Sequence, residues 1–293
     1  MGLILAIAFS FGSNVPHTVV PSTFVAGRAF AMPLVENSVR RLALWIDTDG
    51  SGFIRSNVAQ ELHLQATVAG GAPAAYLPRF DTPDFPAPTG NHGALPLLND
   101  ADIAADPVFA GVDGQLGATW LNDRIWTFDY VHHQIWLDHT APSFHSGDIV
   151  PLQFDRQHRY PRIGLNIGDA QYTAALDTGA TVALNQRAVS FLADGLPAVR
   201  ATSFIPAEAL SRWHASHPDW MYVANAGVER GVSLIRVPEV RADRVVFHNV
   251  WFSTRPNDDV FHGDAVDAKL GPTAFGDCAV MLDYVHDLSG FQC

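Results

Sequence analysis

The chain is short of cysteine, of positive charge and of long apolar runs, and each shortage removes a class of protein. Two cysteines, Cys278 and Cys293, are the whole complement. Their spacing fits no metal-binding cysteine pattern. Eighteen basic against 30 acidic side chains argue against a nucleic-acid partner, which needs a basic face. No apolar stretch is long enough to cross a bilayer. Residues 1–12 are nonetheless almost wholly apolar and fit the core of a secretory signal, with Ser10 and Gly12 near a cleavage point. A positive n-region is missing, since the first arginine is Arg28, so a first β-strand or an incomplete upstream start stands beside the signal reading.

What is present is a core and a repeat. Apolar residues make up 48% of the 293, and charged residues only 16%, which supports globular folding. Residues 112–132 read VDGQLGATWLNDRIWTFDYVH and residues 266–286 read VDAKLGPTAFGDCAVMLDYVH. At a constant offset of 154, ten of the 21 positions are identical, where average composition gives roughly one or two. The identities include Asp113 with Asp267, Leu116-Gly117 with Leu270-Gly271, and Asp129-Tyr130 with Asp283-Tyr284. Upstream, Leu44-Trp-Ile-Asp47-Thr48 pairs with Ala174-Ala-Leu-Asp177-Thr178. Internal duplication therefore organises the chain, and the halves meet in the turn-rich stretch 139–148. The expected division is a possible signal segment at 1–20, a first lobe at 21–143 and a second at 144–293.

Short apolar runs at 42–46 and 172–176 read as buried strands ending in an Asp-Thr turn. Helices are expected at 56–64 and 185–192, capped by Ser56 and Asn185. Residues 125–137 read as a hairpin around Val131-His132-His133, and 241–253 as two strands around His248-Asn249. Prolines scattered through 72–96 imply an irregular loop over one face. That loop (73–91) is either plain surface or a flap that brings Tyr76 or Phe80 to a ligand. A hairpin turning at Val285-His286 sets Cys278 opposite Cys293, as a disulfide closing a loop worth about 3 kcal/mol or as two buried thiols.

Asp177-Thr178-Gly179, with a strand before it, a helix after it, a later Leu-Gly and a second copy of the same order, resembles the signature of two-lobed pepsin/retropepsin-like aspartic peptidases. DGxLGxxWxxxRxWTFDY at 113–130 is similar to bacterial-type members of that group. The resemblance implies an all-β, duplicated, double-lobed β-barrel fold with few short helices. It implies peptide hydrolysis by water activated between Asp47 and Asp177, one carboxylate ionised and one protonated. It assigns Thr48 and Thr178 to hydrogen bonds across the lobes, Gly179 to a close approach of backbone to its carboxylate, and Gly117 and Gly271 to tight packing beside the active loops. No cofactor and no metal are implied. The partner is a peptide or protein, and because both acids share one chain a monomer suffices. An exported, periplasmic or secreted setting suits a disulfide.

Asp49 departs from the pattern, standing where the family has Gly. A third acid beside the pair raises its neighbours' pKa values, and ordinary activity, a shifted pH optimum and a silent peptidase-fold, peptide-binding protein are all open at this point. The same residues, Asp47-Thr-Asp49-Gly-Ser51-Gly52-Phe-Ile54, also fit the start of a calcium loop entered by a helix at 38–46, but Val58 stands where the bidentate Glu belongs. The second copy has no calcium pattern. His214 and His217 offer a metal pair with no third ligand. Asp129, Asp283, Asp113 and Asp267 read as turn caps rather than catalytic groups.

Overall fold

The computed structural model describes residues 17–82, 84–89, 93–155, 158–255, 261, 263 and 265–293. Most of the apolar core of residues 1–20 thus lies outside the described residues, but His17–Val20 is a strand paired with Gln134–Asp138.

The repeat becomes a two-fold relation at the centre of the molecule. Ile125–Asp129 and Ala279–Asp283 occupy equivalent places in the two copies and pair antiparallel, with Ile125 opposite Asp283 and Asp129 opposite Ala279. They form the middle of a six-stranded sheet, flanked by Gln134–Asp138 and His17–Val20 on one side and by Leu288–Gln292 and Ile149–Pro151 on the other. Both central strands are buried along their whole length, which explains their unbroken apolar character apart from Thr127 and the terminal aspartates.

On either side stands an eight-stranded sheet, one drawn from residues 22–116 and one from residues 153–270. The second curls round until Asn166 pairs with Arg241, which brings its second and seventh strands together. One core cluster runs through both halves and includes Trp120, Trp126, Phe128, Phe275, Tyr284 and Phe291. Cys278 and Cys293 are joined in a disulfide, in the register set by Ala279 opposite Gln292. Among the described residues no helix is long and apolar enough to cross a membrane.

Several local expectations are met and others are corrected. Asn185 caps the helix Gln186–Leu192 through the Ala188 N–H at 2.9 Å. The first helix is shorter than expected, Ser56–Glu61, and Ser56 is not its cap. Its hydroxyl donates to the Leu98 carbonyl, and the Asp100 carboxylate, paired with Arg55, accepts the Asn57 N–H instead. The hairpin at 234–253 turns at Asp243-Arg244, not at His248-Asn249. Asn249 has positive φ and lies in mid-strand, where exposed His248 and Asn249 shift the inward alternation from Val245 and Phe247 to Val250 and Phe252. That is a bulge. The proline-scattered region is not irregular throughout: Ala72–Tyr76 pairs with both Ala66–Ala69 and Ala94–Leu98.

Candidate functional site

Both Asp-Thr loops hang from the same device. Leu44–Ile46 runs parallel to Gly114–Leu116, and Ala170–Leu176 runs parallel to Ala268–Leu270. The Asp47 N–H donates to the Leu116 carbonyl at 3.0 Å, and the Asp177 N–H to the Leu270 carbonyl at 2.9 Å. Asp113 and Asp267 fasten the base of each device, accepting the Ala43 and Thr173 N–H groups at 2.8 Å each. The glycines after each leucine are there for space. A Cβ on Gly117 would lie 2.0 Å from the Gly50 carbonyl oxygen, and one on Gly271 would lie 1.8 Å from that of Thr202.

The threonines lock the two loops face to face. The Thr48 N–H donates to Thr178 Oγ1 at 3.1 Å and the Thr178 N–H to Thr48 Oγ1 at 2.9 Å. Each hydroxyl then donates across the interface, Thr178 to the Ile46 carbonyl and Thr48 to the Leu176 carbonyl. Both threonines are buried, so the four bonds form away from competing water.

This lock brings Asp47 and Asp177 together, close enough for the charge of Asp47 to raise Asp177. Asp177 is 5% exposed, and Asp47 keeps more of its surface open. Asp47 accepts the Asp49 N–H at 3.0 Å and the Gln115 side-chain amide. Gly50 makes room for that amide: a Cβ there would lie 2.7 Å from both Asp47 Oδ2 and Gln115 Nε2. Gly179 is pressed not against its own Asp177 but against the other copy's acid, since a Cβ on it would lie 2.3 Å from Asp47 Cγ.

Burial raises both acids, and each other's proximity divides them. Asp47 is pushed up to about 6 by desolvation and then by the Asp49 charge, against hydrogen bonds from Asp49 and Asp177 and the pull of Lys269. Asp177 is pushed up to about 8 by desolvation and then by the Asp47 charge, against the pull of Lys269 and Arg255. Two buried carboxyls this close cannot both ionise cheaply, so the pair holds one proton between them. The hydroxyls of Tyr130 and Tyr284 are driven well above their usual range, by burial first, then by Asp177 for Tyr130 and by Asp47 for Tyr284.

Asp49 is the departure, and the structure shows where its side chain goes. Its carboxylate pairs with the Lys269 ammonium, with side chains only 2% and 7% exposed. Gln115 and Lys269 are both absent from the residues singled out in the sequence. They occupy the same place in the two copies but differ in type, so identity between repeats does not mark them. The usable signal was a lysine between two buried apolar residues of a strand, a place where that side chain needs a partner.

Other sequence candidates fall elsewhere. The calcium pattern has no entering helix, because Leu44–Ile46 is a strand and the loop leads into another strand, Phe53–Arg55. Among the described residues no three His, Cys, Asp or Glu side chains gather as a metal site. His214 stacks on Tyr222 and His217 on Trp220, with centroids 4.0 and 4.1 Å apart. Asp129 and Asp283 cap their turns, each accepting a backbone N–H and a ring nitrogen from His132 or His286. Phe80 packs on Phe85, which reaches Trp120, and the Pro86, Ala87 and Thr89 backbone is tied to residues 119–124. This stretch is therefore fastened to the first half, and Asn91 lies outside the described residues. A cavity of about 90 Å³ opens between the halves, lined by Pro107, Val108, Val182, Phe204 and Arg255 among others.

No protein-family model matches the chain, and no curated protein does. Solved structures do. Conglutin gamma, described as a unique basic 7S globulin from lupine seeds, is similar over 95% of each chain at 10% identity and a TM-score of 0.52. Basic 7S globulin from soybean is similar over 95% of each chain at 9% identity and a TM-score of 0.48. At such identity the likeness is one of fold. The chain has the all-β, duplicated, double-lobed pepsin-like fold, with few short helices.

Proposed function

We propose that the chain is an aspartic-type endopeptidase that hydrolyses peptide bonds with a water held between Asp47 and Asp177. The observation that carries this reading is the pair of buried, pKa-raised carboxyls brought together by the reciprocal threonine lock. Asp47, ionised, takes a proton from the water as its oxygen attacks the scissile carbonyl carbon. Asp177 gives its proton to the carbonyl oxygen. The tetrahedral diol then collapses, the C–N bond breaks, and Asp47 returns its proton to the leaving nitrogen while Asp177 recovers its own from a diol hydroxyl. The interlobe cavity supports a side-chain subsite on the peptide. The disulfide supports an exported setting, and two acids from one chain support a monomer.

The pair needs one proton, so activity follows a bell with limbs near 6 and 8. Digestion of a reduced, alkylated protein mixture from about pH 3 to pH 9 tests this against Asp177→Asn. Cleavage that peaks between the limbs and disappears in the folded variant is the expected result.

A second reading, a silent peptide-binding protein of the same fold, is supported by two observations. The lupine structure carries the name of a globulin, and Asp49 fills the position that is Gly179 in the second copy. Unchanged binding of peptides by the wild type and Asp177→Asn, with no cleavage by either, decides for it.

A further inference from the structure

The two copies differ at two positions that meet. Asp49 stands where the second copy has Gly179, and Lys269 stands where the first has Gln115. Gln115 stays within its own half and donates to Asp47. Lys269 reaches over to the other half and holds the Asp49 carboxylate. Both side chains are withdrawn from solvent. Glycine at 49 alone would leave a buried ammonium without this carboxylate, and glutamine at 269 alone would leave a buried carboxylate without this ammonium. Either charge is costly to bury unpaired, so the two departures make physical sense only together.

The pair also faces the dyad. Asp49 sends its N–H to Asp47, and its charge raises Asp47. The Lys269 charge lowers both Asp47 and Asp177. The other charged or titratable groups that act on these acids are Arg255, the Tyr130 and Tyr284 hydroxyls, and Arg159 through Tyr284. Of all these, Asp49 and Lys269 are opposite charges in direct contact, and their effects oppose each other at Asp47.

We infer that Asp49 and Lys269 form one coupled unit that takes the place of the motif glycine, with Lys269 a positioning residue that holds the Asp49 carboxylate and so keeps a single shared proton on the dyad. This rests on the dyad reading above for its consequence in catalysis, but the coupling itself can be read without cleavage.

The test uses Lys269→Gln, Asp49→Gly and the double variant Asp49→Gly/Lys269→Gln, which gives the first copy the glycine of the second and the second copy the glutamine of the first. Two profiles are measured, kcat/KM on reduced, alkylated protein and the urea midpoint, both against pH. Lys269→Gln should move both limbs to higher pH by about one unit, Asp49→Gly should move the acid limb to lower pH by a similar amount, and each should lower the urea midpoint. The double variant should regain the wild-type midpoint and acid limb and keep the raised alkaline limb. Acid-limb shifts of the same sign in the single variants, or a double variant that fails to regain the midpoint and acid limb, overturn the inference. Should no protein cleave, a urea midpoint lost in each single variant and recovered in the double variant upholds the coupling while the hydrolase reading falls. Should cleavage occur with unshifted profiles, the coupling falls and the hydrolase reading stands. If the single variants do not fold, a folded double variant supports the coupling and an unfolded one overturns it.

Discussion

At the scale of single residues, the site is governed by which atoms can approach. Gly179 is the sharpest case, because the collision its Cβ would make is with Asp47 itself, not with a flexible side chain at the surface. Gly179→Ala should push the carboxyls apart and lower kcat by at least about a hundredfold, since an ångström of misplacement has that effect. Gly164 lies on a strand with open space around it, and Gly164→Ala should leave kcat unchanged. Equal loss in both variants would show that the dyad spacing is not what matters. Asp47, Asp177, Thr48, Thr178 and the three motif glycines were legible in the sequence because each recurs in the same order in both halves or completes a short motif. The partner of Asp49 was not legible. Lys269 lies 220 positions away, and a contact between a loop of one half and a strand of the other leaves no trace in local spacing.

At the scale of elements, duplication explains most of what could be foreseen. Two strands that end in Asp-Thr, two parallel neighbours that end in Leu-Gly and two Asp-Tyr hairpins were visible as repeated words. What escaped was decided between elements. The break in alternation at His248-Asn249 faces a matching break at Pro238-Glu239, and Ser56 gave up its cap because Asp100 took the Asn57 N–H from a later segment. The disulfide belongs to this scale as well. It ties the last strand, Leu288–Gln292, to the start of Ala279–Asp283, one of the two strands at the centre of the molecule. Closing a loop of this length constrains the unfolded chain by about 3 kcal/mol. Replacing both cysteines with serine should lower unfolding free energy by that amount in urea titrations, and thiol reductant should bring the wild type to the same value. An unchanged midpoint would mean that the register is held by strand pairing alone.

At the scale of the whole molecule, the fold concentrates acid groups where two halves close on each other, and stability must then depend on pH. Asp47 and Asp177 have an ordinary value near 3.8 and stand near 6 and 8 in the folded state. The folded chain therefore holds protons that the unfolded chain releases. The stabilisation from these two groups is full below about pH 4 and is lost as pH rises through 6 and then 8. Other carboxylates can slope the other way at low pH, so the difference between wild type and Asp177→Asn isolates the term. Asparagine keeps a neutral side chain at every pH. The variant should gain on the wild type as pH rises from about 4 to 8, the range in which only the folded Asp177 keeps its proton, and the gap should level off above about pH 8. Urea midpoints measured from about pH 4 to pH 9 decide it. A gap that opens instead toward acid would mean that Asp177 enters the folded molecule ionised, and that the proton needed between the two halves is not held there.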